Sequence, residues 1–163
     1  MQDKVPSSYD GARRLAQPLG STAVATQKSA QADGARTWFG YGDYDFLGPD
    51  GQTHLEFTYA WEPPHGDSLH RVLFSTTELP GFAWGNGMAW SPCGRYVLFD
   101  YSQDRRELSR NVVVLDLHAA RFHVLPEYVN ASRLKYPEVF TKTEGGEAVA
   151  YKFAGNETWQ SAA

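Results

Sequence analysis

Gly87–Pro126, GMAWSPCGRYVLFDYSQDRRELSRNVVVLDLHAARFHVLP, reads as four short β-strands in succession. Met88 to Trp90 is the first, Pro92-Cys93-Gly94-Arg95 is a turn, and Tyr96 to Tyr101 returns with Val97, Phe99 and Tyr101 on one face. The polar loop Ser102 to Arg110 leads to Asn111–Leu117, whose continuous VVVL run needs apolar cover on both faces. His118-Ala119-Ala120 then turns the chain into Arg121–Leu125.

The flanking sequence has the same character. From Arg36 the aromatic runs Trp38–Leu47 and Thr53–Trp61 are separated by Gly48-Pro49-Asp50-Gly51, where proline presets φ and glycine accepts φ > 0, so the pair is a hairpin. Leu55, Phe57, Tyr59 and Trp61 alternate with His54, Glu56, Thr58 and Ala60, the period of a half-buried strand. Leu69 to Thr76 is a further strand; Pro80-Gly81 and Gly85-Asn86-Gly87 turn the chain before the central stretch. Beyond it, Glu127 to Leu134 is expected to form one or two helical turns limited by Pro137, and Val139–Thr143 with Ala148–Phe153 a last hairpin around Gly145-Gly146.

Residues 1–35 are rich in Ala, Ser, Gln and Gly and hold few large apolar side chains. They are expected to be a flexible or loosely docked N-terminal arm, with short helices at Asp10–Gln17 and Thr22–Ala32 as the options. Residues 36–163 are then a single β-rich domain, since 163 residues suit one core. The expected fold is mainly β, an antiparallel meander of blade-like sheets in an open propeller-like or sandwich arrangement.

Met88-Ala-Trp-Ser-Pro-Cys-Gly-Arg-Tyr-Val-Leu-Phe99 resembles the opening of a blade in WD40-like and TolB-like β-propellers, with Asn111–Leu117 as its third strand and Arg121–Leu125 as its outer one. Cys93 stands where those repeats usually have Asp. A closed ring needs at least four blades of about 40 residues, more than residues 36–163 supply. The resemblance implies a binding platform.

The charge balance, 15 basic against 19 acidic residues for a net charge of −4 with no run of Lys or Arg, argues against nucleic acid and suits a basic protein partner. One cysteine excludes an intrachain disulfide. No apolar stretch approaches the roughly 20 residues of a bilayer span, and the N-terminus lacks a signal h-region. The expectation is a cytoplasmic protein, or a periplasmic or secreted one had a signal peptide been removed.

Catalytic and metal motifs fail on spacing. Asp43-Tyr-Asp45 begins like a calcium loop, but Leu47 and His54 occupy ligand positions. His65 and His70, and His118 and His123, flank turns without supporting ligands. Cys93 sits in a structural turn, Gly85-Asn86-Gly87 lacks a third glycine, and Asp100 and Asp116 stand singly with no evident partner. No cofactor, metal or catalytic residue is therefore assigned.

Two segments are candidate partner-binding sites: Trp38, Tyr41, Asp43, Tyr44 and Asp45, where aromatics interleave with carboxylates, and the loop Gln103, Asp104, Arg105, Arg106 and Glu107. A structural reading stands beside each: Trp38 and Phe39 as core with the carboxylates solvating a strand end, and the loop as a solvated connection. The functional expectation is a non-enzymatic protein-binding module, in one concrete form an immunity protein that inhibits a cognate bacterial toxin by covering its surface. The alternatives are a small β-rich enzyme or ligand-binding domain with a pocket lined by Trp61, Trp84 and Trp90, and a structural subunit of a larger propeller-like assembly.

Overall fold

Alternation in the central stretch sorts its side chains onto two faces, and the computed structural model, which describes residues 24–163, buries both. Strands β1 (Thr26–Ser29), β2 (Tyr44–Leu47), β3 (His54–Trp61), β4 (Leu69–Phe74) and β5 (Thr77–Glu78) precede it. The stretch itself contributes β6 (Phe82–Trp90), β7 (Tyr96–Ser102), β8 (Asn111–Asp116) and β9 (Arg121–Val124). After it come β10 (Ala131–Lys135), β11 (Glu138–Thr143), β12 (Gly146–Lys152) and β13 (Gln160–Ser161). The described residues are all-β.

Two sheets result. The larger runs β1-β2-β3-β4-β6-β7-β8-β9-β13, with β5 beside β4, and stays open with β1 and β13 at its ends. Every pairing in it is antiparallel except β1 on β2. The smaller sheet is β10-β11-β12.

One face of the large sheet builds the first core from Phe46, Phe57, Trp90, Val97, Phe99, Val113 and Leu115. The sheet curls enough for the Phe57 and Phe99 rings, with two strands between theirs in the ladder, to meet edge to face at 5.6 Å. The alternate residues Ala89, Leu98, Val112 and Val114 face the small sheet and form the second core with Leu134 and Val139. The VVVL run is therefore covered twice, and β7 is buried along its whole length.

The helical readings of Thr22–Ala32 and Glu127–Leu134 are corrected. Thr26–Ser29 is a strand because the edge of β2 offers backbone partners: Thr26 N donates to Asp43 O at 2.8 Å, and Ala30 N to Leu47 O at 2.9 Å. Ala131–Lys135 is a strand because it is flanked by β11 on one side and by residues 34–36 on the other. In both places tertiary pairing overrides a weak helical preference. The Asp10–Gln17 reading lies outside the described residues.

Residues 34–37 join the two sheets. Leu134 N donates to Gly34 O and Arg36 N to Ser132 O, each at 2.9 Å, while Thr37 N donates to Met88 O at 2.7 Å. The strap thus straddles the expected boundary between arm and β domain at residues 35 and 36, and Thr26–Ser29, placed by the sequence in the arm, is the edge strand of the large sheet.

Gly85-Asn86-Gly87 does not end a strand but bulges one. Ala83 pairs with Tyr101 and Met88 with Phe99, so β6 spends five steps where β7 spends two. Both glycines are needed there: a Cβ at Gly85 would lie 2.3 Å from Ser68 Oγ, and Gly87, at φ 145°, would meet Arg36 Nε at 2.8 Å.

Candidate functional site

The bulge turns the Asn86 side chain toward Asp100, and a polar centre forms around that carboxylate. Asp100 lies on β7 on the second-core face and is wholly inaccessible to solvent. Its Oδ2 accepts from Asn86 Nδ2 at 2.7 Å, Tyr128 Oη at 3.1 Å and Arg110 Nη1 at 3.4 Å, and its Oδ1 accepts from Arg36 Nη2 at 3.4 Å. Every neighbour is a donor, as a buried carboxylate requires. Asp100 thus has the partners its sequence surroundings did not reveal: the two arginines stand 64 and 10 positions away along the chain.

Asp116, at the other end of the same face, repeats the design. Arg95 forks onto it at 2.7 and 2.8 Å, Arg121 Nε donates at 3.1 Å, and Ala119 N donates at 3.2 Å. Burial alone raises a carboxyl pKa; the hydrogen bonds from these donors outweigh it, and Asp116 is held below its ordinary value.

Arg110 carries the Asp100 centre outward. Its guanidinium lies 4.5 Å from the Trp84 ring, and Nη2 donates to Asp67 at 2.7 Å. Burial works against its charge, but the Asp67 hydrogen bond and the Asp100 and Asp67 charges prevail, and its pKa rises. Tyr128 rises too, first by burial and then through the charge of Asp100.

Arg110, Asp67 and Tyr41 are walls of one surface cleft of about 700 Å³, completed by the turn Glu62-Pro63-Pro64-His65-Gly66 between β3 and β4. Tyr41 is 62% exposed, yet its hydroxyl donates to Gly66 O at 3.3 Å, which pins the ring across the turn. Glu62 abuts Tyr59, whose phenol is raised above its ordinary value by burial first and by the Glu62 carboxylate second. Among the described residues Glu62 makes no ion pair.

The first sequence-predicted segment is divided by this geometry. Tyr41 lines the cleft. Trp38 is 65% exposed but lies outside it, its carbonyl accepting from Lys28 Nζ at 2.8 Å. Phe39, expected in the core beside Trp38, is fully buried. Asp43 accepts from Tyr59 N at 2.8 Å, Asp45 faces His54 Nδ1 at 2.9 Å, and Tyr44 is buried, its hydroxyl donating to Tyr41 O at 2.8 Å. Asp43 and Tyr44 thus hold the Tyr41 loop, and Asp45, half-buried on β2, faces β3.

In the second segment Gln103, Arg105, Arg106 and Glu107 are exposed and Asp104 caps Arg106 N at 2.8 Å. None of the five lines the cleft, but the end of their loop, Arg110, does. Tyr41 of the first segment and Arg110, three residues beyond the second, thus meet at one cleft.

Glu62, Asp67, Arg110 and the Asp100 centre escaped the sequence reading. The one visible signal was Asp100, a charge inside the apolar run YVLFDY. The three tryptophans of the pocket alternative do not share a pocket: Trp90 is fully buried with Nε1 donating to Gly94 O, Trp84 is buried beneath Arg110, and Trp61 is at the surface. Among the described residues no three His, Cys, Asp or Glu side chains gather as metal ligands, and there is no helix long and apolar enough to cross a membrane. No family model, curated protein or solved structure matches the chain.

Proposed function

We propose that this protein is a non-enzymatic binding module that covers a basic surface on another protein, and that its working form is an immunity protein against a cognate toxin. One observation supports this reading above the rest: Tyr41, an exposed ring fixed by a hydrogen bond, stands beside Glu62 and Asp67 at the mouth of a cleft. Rigid exposed aromatics are frequent anchors of binding hot spots, where they contribute large contact area at small entropic cost, and the carboxylates of Glu62 and Asp67 beside this one suit a cationic group. Tyr59 and Trp61, 40% and 36% exposed, continue the aromatic surface along β3. The net charge of −4 favours approach of a cationic partner.

The test is site-resolved photocrosslinking in the native host, with a photoreactive amino acid at Tyr41 and, as control, at Lys152 on the far sheet. The expected result is one stoichiometric protein crosslinked from position 41 and absent from 152, with the crosslink weakening as salt rises. No stoichiometric partner at position 41 at any moderate salt concentration overturns the reading.

A further inference from the structure

The cleft is more specific than an acidic surface. Its own Arg110 displays how it holds a guanidinium: stacked on Trp84 at 4.5 Å and joined to Asp67 at 2.7 Å and to the buried Asp100 at 3.4 Å. That arginine is thereby matched by two carboxylates. The rim carboxylate, Glu62, has no ion-pair partner among the described residues and sits beside two phenol rings, exposed Tyr41 across the cleft and Tyr59 next to it. A carboxylate flanked by aromatic faces recognises a planar cation, which stacks on a ring while its fork meets the acid.

We infer that the cleft between Tyr41 and the Glu62–Asp67 turn is a receptor for a single arginine side chain projected by the partner. This rests on the binding-module reading and adds the anchoring group and its seat. The guanidinium stacks on Tyr41 and pairs with Glu62. Arg110 stays in place, because Asp100 behind it is inaccessible and needs its charge. The receptor is built in advance on rigid parts: Pro63 and Pro64 fix the turn, Gly66 lies against Pro63, and the Tyr41 hydroxyl locks the ring to Gly66. An anion is disfavoured, since the one cation in the cleft wall is already neutralised and Glu62 would repel it.

The site can be tested without the partner. The full chain, labelled with ¹⁵N, is titrated with acetyl-Gly-Arg-Gly-amide, and with the same peptide carrying Gln or Glu. The arginine peptide is expected to give saturable shifts at the Tyr41, Glu62 and Gly66 amides, with a dissociation constant on the order of millimolar, as one exposed ion pair and one stacked ring allow. The Gln and Glu peptides should give none. Glu62→Gln and Tyr41→Leu, both exposed positions whose spectra report intact folding, should each weaken the arginine response about two- to fivefold. Shifts that are absent, that fail to saturate, or that are equal in Glu62→Gln overturn the inference. The two proposals fail separately. A partner crosslinked at position 41 together with an inert arginine peptide removes the arginine seat and leaves the binding module; a responsive peptide with no crosslinked partner does the reverse.

Discussion

At the scale of single residues, the chain spends its buried charge where it joins segments distant in sequence. Asp100 holds the strap residue Arg36, the bulge residue Asn86, the loop end Arg110 and Tyr128 of the β9–β10 connection. Replacing its carboxylate by an amide of the same shape brings an NH₂ group among four donors and leaves two guanidinium groups short of a counter-charge. Asp100→Asn is therefore expected to cost about 3 kcal/mol in urea unfolding, the lower end for a broken buried pair, because the Arg110 side chain keeps 35% exposure and water relieves part of the loss. The same substitution should loosen Arg110 and with it the cleft wall. An unfolding midpoint equal to that of the unsubstituted chain would show that the arginines are satisfied by Asn86 and Asp67 alone.

At the scale of elements, the loop bearing Tyr41 is tied to the sheet by His70 of β4. His70 is fully buried, its Nε2 lies 3.0 Å from Gly42 O, and its ring meets Phe39, Tyr44 and Tyr59. Its Nδ1 has no hydrogen-bond partner among the described residues. The ring is accordingly neutral, with the proton on Nε2. Burial lowers its pKa below the ordinary 6.5, with the Gly42 carbonyl and the Asp43 charge opposing it more weakly. As pH falls past 6.5, the unfolded chain takes up the proton before the folded one does. The stability that His70 contributes is thus complete above that value and is lost as pH descends toward the folded pKa. The urea midpoint should fall between pH 7.5 and pH 5.5, and His70→Phe, though about 1–2 kcal/mol less stable at pH 7.5 for want of a donor to Gly42, should lose most of that slope. An unchanged slope in His70→Phe would place the titration elsewhere.

What the sequence made legible follows the same division between local and distant. The Gly48–Gly51 hairpin could be read because the proline and glycines that shape it lie within the turn itself; there Asp50 accepts from the Thr53 hydroxyl, Thr53 N and Gln52 N, and these bonds bring its pKa to about 2. The four central strands could be read because period-2 alternation needs no partner to be visible. Strand β10 could not, since its own composition leans weakly to helix and one of its two neighbours, the segment at Gly34, stands a hundred residues earlier. Gly85-Asn86-Gly87 could be read as a break but not as a bulge, because what the glycines accommodate, Ser68, His70 and Arg36, comes from three other segments. The cleft was half legible for the same reason: Tyr41 announces itself as an aromatic among carboxylates, whereas Glu62, Asp67 and Arg110 acquire meaning only once three loops meet.

At the scale of the whole molecule, the question is whether two sheets with two cores behave as one unit. Their separate apolar clusters would permit independent unfolding, but three features couple them. Strands β7 and β8 belong to both cores, giving alternate side chains to each. The strap at residues 34–37 pairs with β10 through Gly34 and Arg36 and with β6 through Thr37. The Asp100 centre ties that strap by charge to the middle of the large sheet. Opening the small sheet would strip one face of β7 and β8, expose Leu98, Val112 and Val114 together, and leave Asp100 facing water without Arg36. A partial opening therefore forfeits much of what global unfolding forfeits, which is the condition for a single cooperative transition. Native-state hydrogen exchange makes this measurable. The Leu134 amide, bonded across the strap to Gly34 O, and the Phe99 amide, inside the first core, are expected to exchange with the same opening free energy, equal to that from urea unfolding. In Thr37→Pro, which removes the donor to Met88 O, the Leu134 amide should fall below Phe99. Leu134 exchanging faster than Phe99 already in the unsubstituted chain would mean that the small sheet opens by itself, and that the strap joins the layers without making them one.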